Sequence, residues 1–339
     1  MGRIMNIDNL TQITEPNAWT AAELPGREAW ALELTREMID EVIDAARKAI
    51  DAGRSYREIG RNNFEIPKTS ALIDVAYADL EDGRGFTVIA GWPVDEFSFD
   101  ENVMAFCGVG SHMGDIVIQN YEGDAIVSVR DEGVPYSHKS RGYRSNKRLP
   151  FHSDGSDLVA LLCLSEAASG GRSLLVSATR VFNIILEEKP EIIDLLCRGF
   201  YHHRRGQHDA GEPPLSENRI PVFAIANGYL HCCYNRNPIE WAEKEGITLS
   251  ADEKAVLDYF DSILARPEMQ VETDMRKGDM QFLNNFVILH SRTAYEDVDS
   301  RRHLVRLWME CPASKRMGES LLDLYVPGTS RYHTSVKSG

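Results

Sequence analysis

The sequence predicts a mainly β fold with flanking helices, in which a sheet core is covered by helices on one side. Three observations point there. Helical periodicity is concentrated in the first hundred residues, and from Ile116 onward the texture is short strands broken by turns. Strands and helices do not alternate as βαβ units would. Neither a glycine-rich phosphate loop nor an internal repeat occurs. With 339 residues, 43% of them hydrophobic, the chain can bury a large core.

In order, residues 27–52 read as an amphipathic helix. Trp30, Leu34, Met38, Val42 and Ala46 recur every four residues, and Gly53 is the expected C-cap. A shorter helix is expected over 70–80. Residues 85–90 read as a strand, stopped by Gly91-Trp92-Pro93. Ser98-Phe99-Asp100-Glu101 is a capping box opening a helix to about Cys107. Residues 116–121 and 125–129 read as strands, and the polar stretch 130–148 as a long loop of the kind that forms lids.

The apolar run 158–164 reads as a buried strand. A turn at Gly170-Gly171 leads to a strand over 173–177. A helix over 179–186 stops at Lys189-Pro190, and a short helical segment follows over 191–197. Residues 202–219, with His202, His203 and His208, read as a loop at a site entrance rather than as a metal site. Strands over 221–226 and 228–234 meet at Asn227-Gly228, a hairpin signal. Ser250-Ala251-Asp252-Glu253 caps a helix to Leu264. Strands over 270–273, 280–283, 286–290 and 302–309 follow. The expected organisation is one domain: a helical region over about 1–84, a core over about 85–310 and a tail over 311–339.

The formal charge of −15 repels phosphate backbones and argues against a nucleic-acid partner. No apolar run is long enough to span a bilayer. Residues 1–8 hold no signal-peptide-like apolar region, and Met5 is a second candidate start. Six cysteines without a C-x-x-C pair are expected to be reduced, buried thiols of a cytoplasmic protein. The expected partner is a small molecule, with no membrane involved; whether the chain is a homo-oligomer stays open.

The chemistry centres on Leu149-Pro150-Phe151-His152-Ser153-Asp154-Gly155. Side chains two positions apart on a strand share a face, so His152 and Asp154 can offer an imidazole and a carboxylate to one ion. His290, at the end of the apolar run Phe286-Val287-Ile288-Leu289, is the candidate third ligand. Two histidines and one carboxylate are the facial triad of non-haem Fe(II) oxygenases, which leaves positions open for co-substrate and O₂. Further on, Arg302 and Arg306 fall four apart among β-formers, on one face with Leu304, while Arg301, His303 and Val305 take the other. Two inward guanidiniums are costly without anions. A dicarboxylate that chelates iron at one end and meets a planar arginine fork at the other would supply one.

These pieces together resemble the taurine dioxygenase/2,4-D dioxygenase family of Fe(II)- and 2-oxoglutarate-dependent oxygenases, which is close to the clavaminate synthase-like group. The pattern is His152-Ser153-Asp154, then Ser173 after Gly170-Gly171-Arg172, then Asn285 ahead of His290, then Arg302 with Arg306, and it covers roughly 85–310. The resemblance implies a double-stranded β-helix (jelly roll, cupin-like) core. It implies His152, Asp154 and His290 as iron ligands, and Ser173 and Arg302 as the holders of the distal carboxylate of 2-oxoglutarate. Arg306 would assist Arg302 or face an anionic substrate. Ser173 stands where threonine is commoner, and the His290–Arg302 spacing is slightly long, so Arg301 stays a minor rival.

The implied activity is that of an oxidoreductase: hydroxylation of an unactivated C–H bond in a small anionic or amino-acid-like molecule, with O₂ consumed and succinate and CO₂ released. Halogenases of this superfamily lack the carboxylate that Asp154 provides, so hydroxylation is the default, with desaturation or cyclisation in natural-product biosynthesis as the alternative. Substrate-facing candidates are Gln119, Asn120, Tyr121, Phe151 and Arg236. A zinc hydrolase or a non-catalytic ligand-binding barrel would leave the Arg302/Arg306 pair unexplained.

Overall fold

The computed structural model describes residues 10–208, 210–297 and 301–315. The chain begins with β1 (Ala31–Glu33), α1 (Arg36–Asp51), α2 (Pro67–Glu81), β2 (Phe86–Ala90), α3 (Phe99–Ser111), β3 (Asp115–Ile116), β4 (Ile126–Val129) and β5 (Leu149–His152). Next come β6 (Leu158–Ser165), β7 (Ser169–Gly170), β8 (Ser173–Ser177), α4 (Ala178–Glu188), α5 (Ile193–Arg198), β9 (Phe223–Ala226) and β10 (Tyr229–Cys232). It continues through α6 (Arg236–Trp241), α7 (Ala251–Leu264), β11 (Val271–Glu272), β12 (Met280–Asn284), β13 (Ile288–Arg292), β14 (Tyr295–Glu296) and β15 (His303–Glu310).

Two sheets form the core. The major sheet runs β1-β2-β12-β6-β15-β3, with β4 also paired to β15. The minor sheet runs β11-β8-β13-β5, antiparallel throughout. Alternation decides what each strand contributes. Phe86, Val88, Val159, Leu283 and Trp308 from the major sheet meet Leu175, Val271 and Ile288 from the minor sheet in one buried cluster. The sheets therefore pack face to face as a double-stranded β-helix, a jelly roll.

Helices cover both outer faces, which corrects the expectation of one. Ile89, Ala160, Leu162, Phe282, Val305 and Leu307 turn outward under α1, α2 and α3. Phe151, Val176 and Leu289 turn outward under α4, α5 and α7. The minor-sheet strands are two to five residues long, too short for their outward apolar alternates to be legible as a second face needing cover.

Other expectations shift as well. The first helix begins only at Arg36, where the Thr35 side chain caps it by accepting from Met38 N. Trp30 lies in the cluster between the sheets, and Ala31–Glu33 pairs in parallel with β2. The strand expected over 116–121 ends at Ile116, because the chain turns after Gln119, whose N–H donates to Asp124 O at 2.8 Å. Helix α6 lay unread after the hairpin. Both capping boxes form. Asn227 and Gly228 take left-handed φ values of 51° and 86°, as a two-residue hairpin turn requires. All six cysteines are free thiols and five are buried. Among the described residues no helix is long and apolar enough to cross a membrane.

Candidate active site

Strands β5 and β13 are antiparallel neighbours, and their register sets His152 directly opposite His290. Both rings turn into the space between the sheets, with centroids 4.4 Å apart. Asp154 follows where the chain leaves β5. Its Oδ1 is 3.9 Å from His152 Nε2 and its Oδ2 is 3.8 Å from His290 Nε2. One ligand atom from each residue lies within 4.8 Å of the others.

The protonation states suit a cation. His152 Nδ1 sits 2.8 Å from Pro150 O, which fixes the proton there and leaves Nε2 with a lone pair. Burial, then the neighbouring His152, lowers His290 to about 3, so both rings are neutral near pH 7. Burial alone would raise Asp154. The Arg306 guanidinium, helped by His290 and His152, outweighs it and holds the carboxyl well below its usual range. Arg306 Nη1 donates to Asp154 Oδ2 at 3.2 Å, and Trp308 Nε1 donates to the same oxygen at 3.1 Å. Two neutral imidazoles and a carboxylate are the right donor set for a divalent ion such as Fe(II).

A lined cavity opens from this triad and runs past Ser173, Arg302, Leu304 and Arg306. Arg302 is buried. Its Nη2 donates to Gly171 O at 3.3 Å, while Nη1 finds no partner among the described residues. An orphaned buried N–H beside a cavity is the signature of a missing acceptor, and the distal carboxylate of 2-oxoglutarate fits it. Ser173 Oγ donates to Gln281 Oε1 at 3.0 Å, and Gln281 in turn donates to Thr273 Oγ1 at 2.6 Å. That relay fixes the position of Ser173 Oγ at the cavity wall; donation to a bound carboxylate would turn its single proton away from Gln281 Oε1.

The substrate-facing candidates divide. Gln119 is fully buried and lies against Arg306: its Oε1 accepts from Arg306 Nε at 2.7 Å, and its Nε2 donates to Arg306 O at 2.8 Å. Asn120 closes a local turn with Asp124. The Tyr121 N–H donates to Gln207 Oε1 at 2.7 Å, joining this segment to the 202–208 loop. Phe151 and Arg236 are corrections. Phe151 alternates with His152 and packs outward under the helices. Arg236 is bound into ion pairs with Glu240, Asp258 and Asp261, so its charge is already used.

Four residues at the site escaped the sequence reading. Trp308 continues the inward alternation of Arg302, Leu304 and Arg306, and that parity could have found it. Arg292 lies two beyond His290 on the same face and lines the cavity. Tyr143 and Arg141 come from the long loop, where no periodicity marks them.

The donor set and the buried cation across the cavity suit an iron(II) oxygenase that takes 2-oxoglutarate, and comparison with known proteins establishes that class. Residues 52–308 match the family described as "Taurine catabolism dioxygenase TauD, TfdA family", and the chain belongs to it. Among curated proteins it is 34% identical over 318 residues to FR-33289 synthase of Streptomyces rubellomurinus, covering 91% of this chain and 93% of that protein. It is 26% identical over 312 residues to the taurine hydroxylase-like protein SAT17 of Stachybotrys chartarum, covering 87% and 79%. Among solved structures, asparagine oxygenase with Fe(II), 3-hydroxyasparagine and succinate superposes with a TM-score of 0.63 at 18% identity, covering 83% of this chain and 93% of that one. The protein is thus an Fe(II)- and 2-oxoglutarate-dependent dioxygenase.

Proposed function

We propose that this dioxygenase hydroxylates an unactivated C–H bond of a small anionic or amino-acid-like molecule, with His152, Asp154 and His290 holding the iron. Ser173 and Arg302 bind the distal carboxylate of 2-oxoglutarate. The observation that carries the reading is the convergence of three donors, 3.8 and 3.9 Å apart across Asp154, opposite the unsatisfied Nη1 of Arg302. A structural neighbour's name supports an amino-acid-like substrate, since that protein is an asparagine oxygenase, and the relative named a synthase supports a biosynthetic setting. The six free thiols support a cytoplasmic setting.

When bound, Fe(II) would activate O₂ at the expense of 2-oxoglutarate: one oxygen atom would enter succinate, with CO₂ released, and the other would enter the C–H bond. The chain's own residues place and shield. Pro150 O keeps the His152 proton on Nδ1. Arg306 and Trp308 keep Asp154 ionised and oriented. Leu304, Val159 and Leu161 present an apolar wall that limits water at the reacting end.

Anaerobic addition of Fe(II) and 2-oxoglutarate to the purified protein should produce the weak visible charge-transfer band of the chelate. His152→Ala should abolish it, and Arg302→Ala should raise the apparent 2-oxoglutarate Kd at least tenfold. A fully iron-loaded wild-type protein without the band would sink the assignment.

A further inference from the structure

The cavity mouth carries more positive charge than its known partners balance. Arg306 is engaged by Asp154, and Arg302 takes 2-oxoglutarate in the reading proposed above, on which this inference rests. Of the guanidiniums that remain, Arg292 is held by the Ser145 and Lys147 carbonyls, and two others come from loops, Arg141 from the 130–148 loop and Arg205 from the 202–208 loop. Neither loop arginine forms an ion pair with a carboxylate among the described residues, although the chain as a whole is strongly acidic.

Their placement is built rather than incidental. Arg141 Nη1 donates to Gln119 O at 3.2 Å. Its guanidinium lies 5.4 Å from the Trp308 ring and 5.8 Å from the Tyr143 ring. Arg306 lies over the same two rings, at 4.9 and 5.2 Å. Trp308 therefore touches both Arg141 and the carboxylate of Asp154. The Arg205 loop is clipped to the same segment, since Tyr121 N donates to Gln207 Oε1. Arg205 itself adopts a left-handed backbone, φ 55°, and its N–H donates to His203 Nδ1 at 2.9 Å. Its Nε is buried without a partner among the described residues. A bulky residue held at positive φ is strained. The charge of Arg205 is felt by Arg141: after burial, it is the next cause that lowers Arg141, to about 9.

Two half-buried guanidiniums with no carboxylate partner favour the arrival of anionic charge to match them. A singly charged group would leave one of them uncompensated. A tetrahedral oxyanion with two charges offers three acceptor oxygens to two planar forks. We propose that Arg141 and Arg205 form an anion subsite at the mouth of the iron cavity, selecting substrates with a doubly charged phosphonate or phosphate-monoester group and directing the rest of the molecule toward the iron.

The test uses the full-length enzyme with Fe(II) and 2-oxoglutarate under anaerobic conditions, with methylphosphonate at pH 8 as the probe. Binding is read from the perturbation of the charge-transfer band and by calorimetry. Methylphosphonate should bind at least tenfold tighter than methanesulfonate, which has the same shape with one charge less. Arg141→Gln and Arg205→Gln should each weaken methylphosphonate about tenfold while the band still forms, and Arg205→Lys should recover part of the loss. Equal binding of the two probes, equal methylphosphonate affinity in wild type and both glutamine variants, or no response to it would each overturn the subsite. So would loss of the band in the glutamine variants, which would put these arginines in the cofactor site. Failure of the band to form in wild type would instead bring down the iron and 2-oxoglutarate assignment, and the subsite with it.

Discussion

Gly171 shows how closely the arginine end of the cavity is fitted. Its φ is +69°, and a Cβ placed there would sit 2.8 Å from Arg302 Nε and 3.0 Å from Arg302 Cδ. The backbone conformation favours glycine, and the guanidinium stem occupies the space a side chain would need. Gly171→Ala should therefore displace Arg302 rather than unfold the sheet. We expect the 2-oxoglutarate Kd to rise about tenfold or more with Fe(II) affinity little changed, as measured by titrating the charge-transfer band. An unchanged Kd would show that Arg302 does not set that affinity. The neighbouring Gly170-Gly171 pair was visible in the sequence only as a turn; its contact with a residue 131 positions away was not.

At the scale of elements, the site depends on a clasp between the segment after β5 and the turn before β13. Asn285 Oδ1 accepts from Asp154 N at 3.1 Å, and its Nδ2 donates to Ser156 O at 2.8 Å. Ser153 N donates to Tyr234 O at 2.9 Å, and Tyr234 N donates back to Ser153 Oγ at 3.2 Å. These bonds hold Asp154 where strand geometry alone would not. Asn285→Ala should leave buried donors and acceptors unmet, costing roughly 1–3 kcal/mol. Thermal melts should register that loss, and Fe(II) affinity should fall with it; full affinity in a destabilised variant would show that the clasp only stabilises the fold. The inward parity of Arg302, Leu304 and Arg306 was legible because period-2 alternation needs no tertiary information. That His152 and His290 converge was legible from the motif, but their direct opposition across neighbouring strands was not, because register between strands 138 residues apart is set by packing that one sequence does not display.

Across the whole molecule, buried neutral imidazoles make the metal-free protein acid-sensitive. Burial is the main cause that takes His290 and His202 to about 3. A histidine whose folded pKa lies below its unfolded value takes up its proton more readily when unfolded. Stability is therefore retained above about pH 6.5 and declines between there and about pH 3, by about 1.4 kcal/mol per pH unit for each such group. Melting temperatures of the metal-free enzyme should fall as pH drops from 7 to 5, and His202→Gln should make the slope shallower. An unchanged slope would mean that these rings are not the cause. At this scale the β-rich core was readable from the residues and the jelly roll was implied by the family resemblance, whereas the helices on the second outer face were not legible, since strands this short carry too few alternations to announce them.

One consequence follows from the way the two sheets share out the site. Both imidazoles belong to the minor sheet, and Arg302 leads into β15 of the major one. The gap between stacked sheets is nearly constant, about 10 Å, because the apolar side chains filling it cannot be compressed. Under the proposed assignment, the thickness of the hydrophobic sandwich becomes a gauge for carbon-chain length. A four-carbon oxo-diacid stops short of the guanidinium and a six-carbon one overshoots it, so the choice of co-substrate is written into the packing of residues that never touch it.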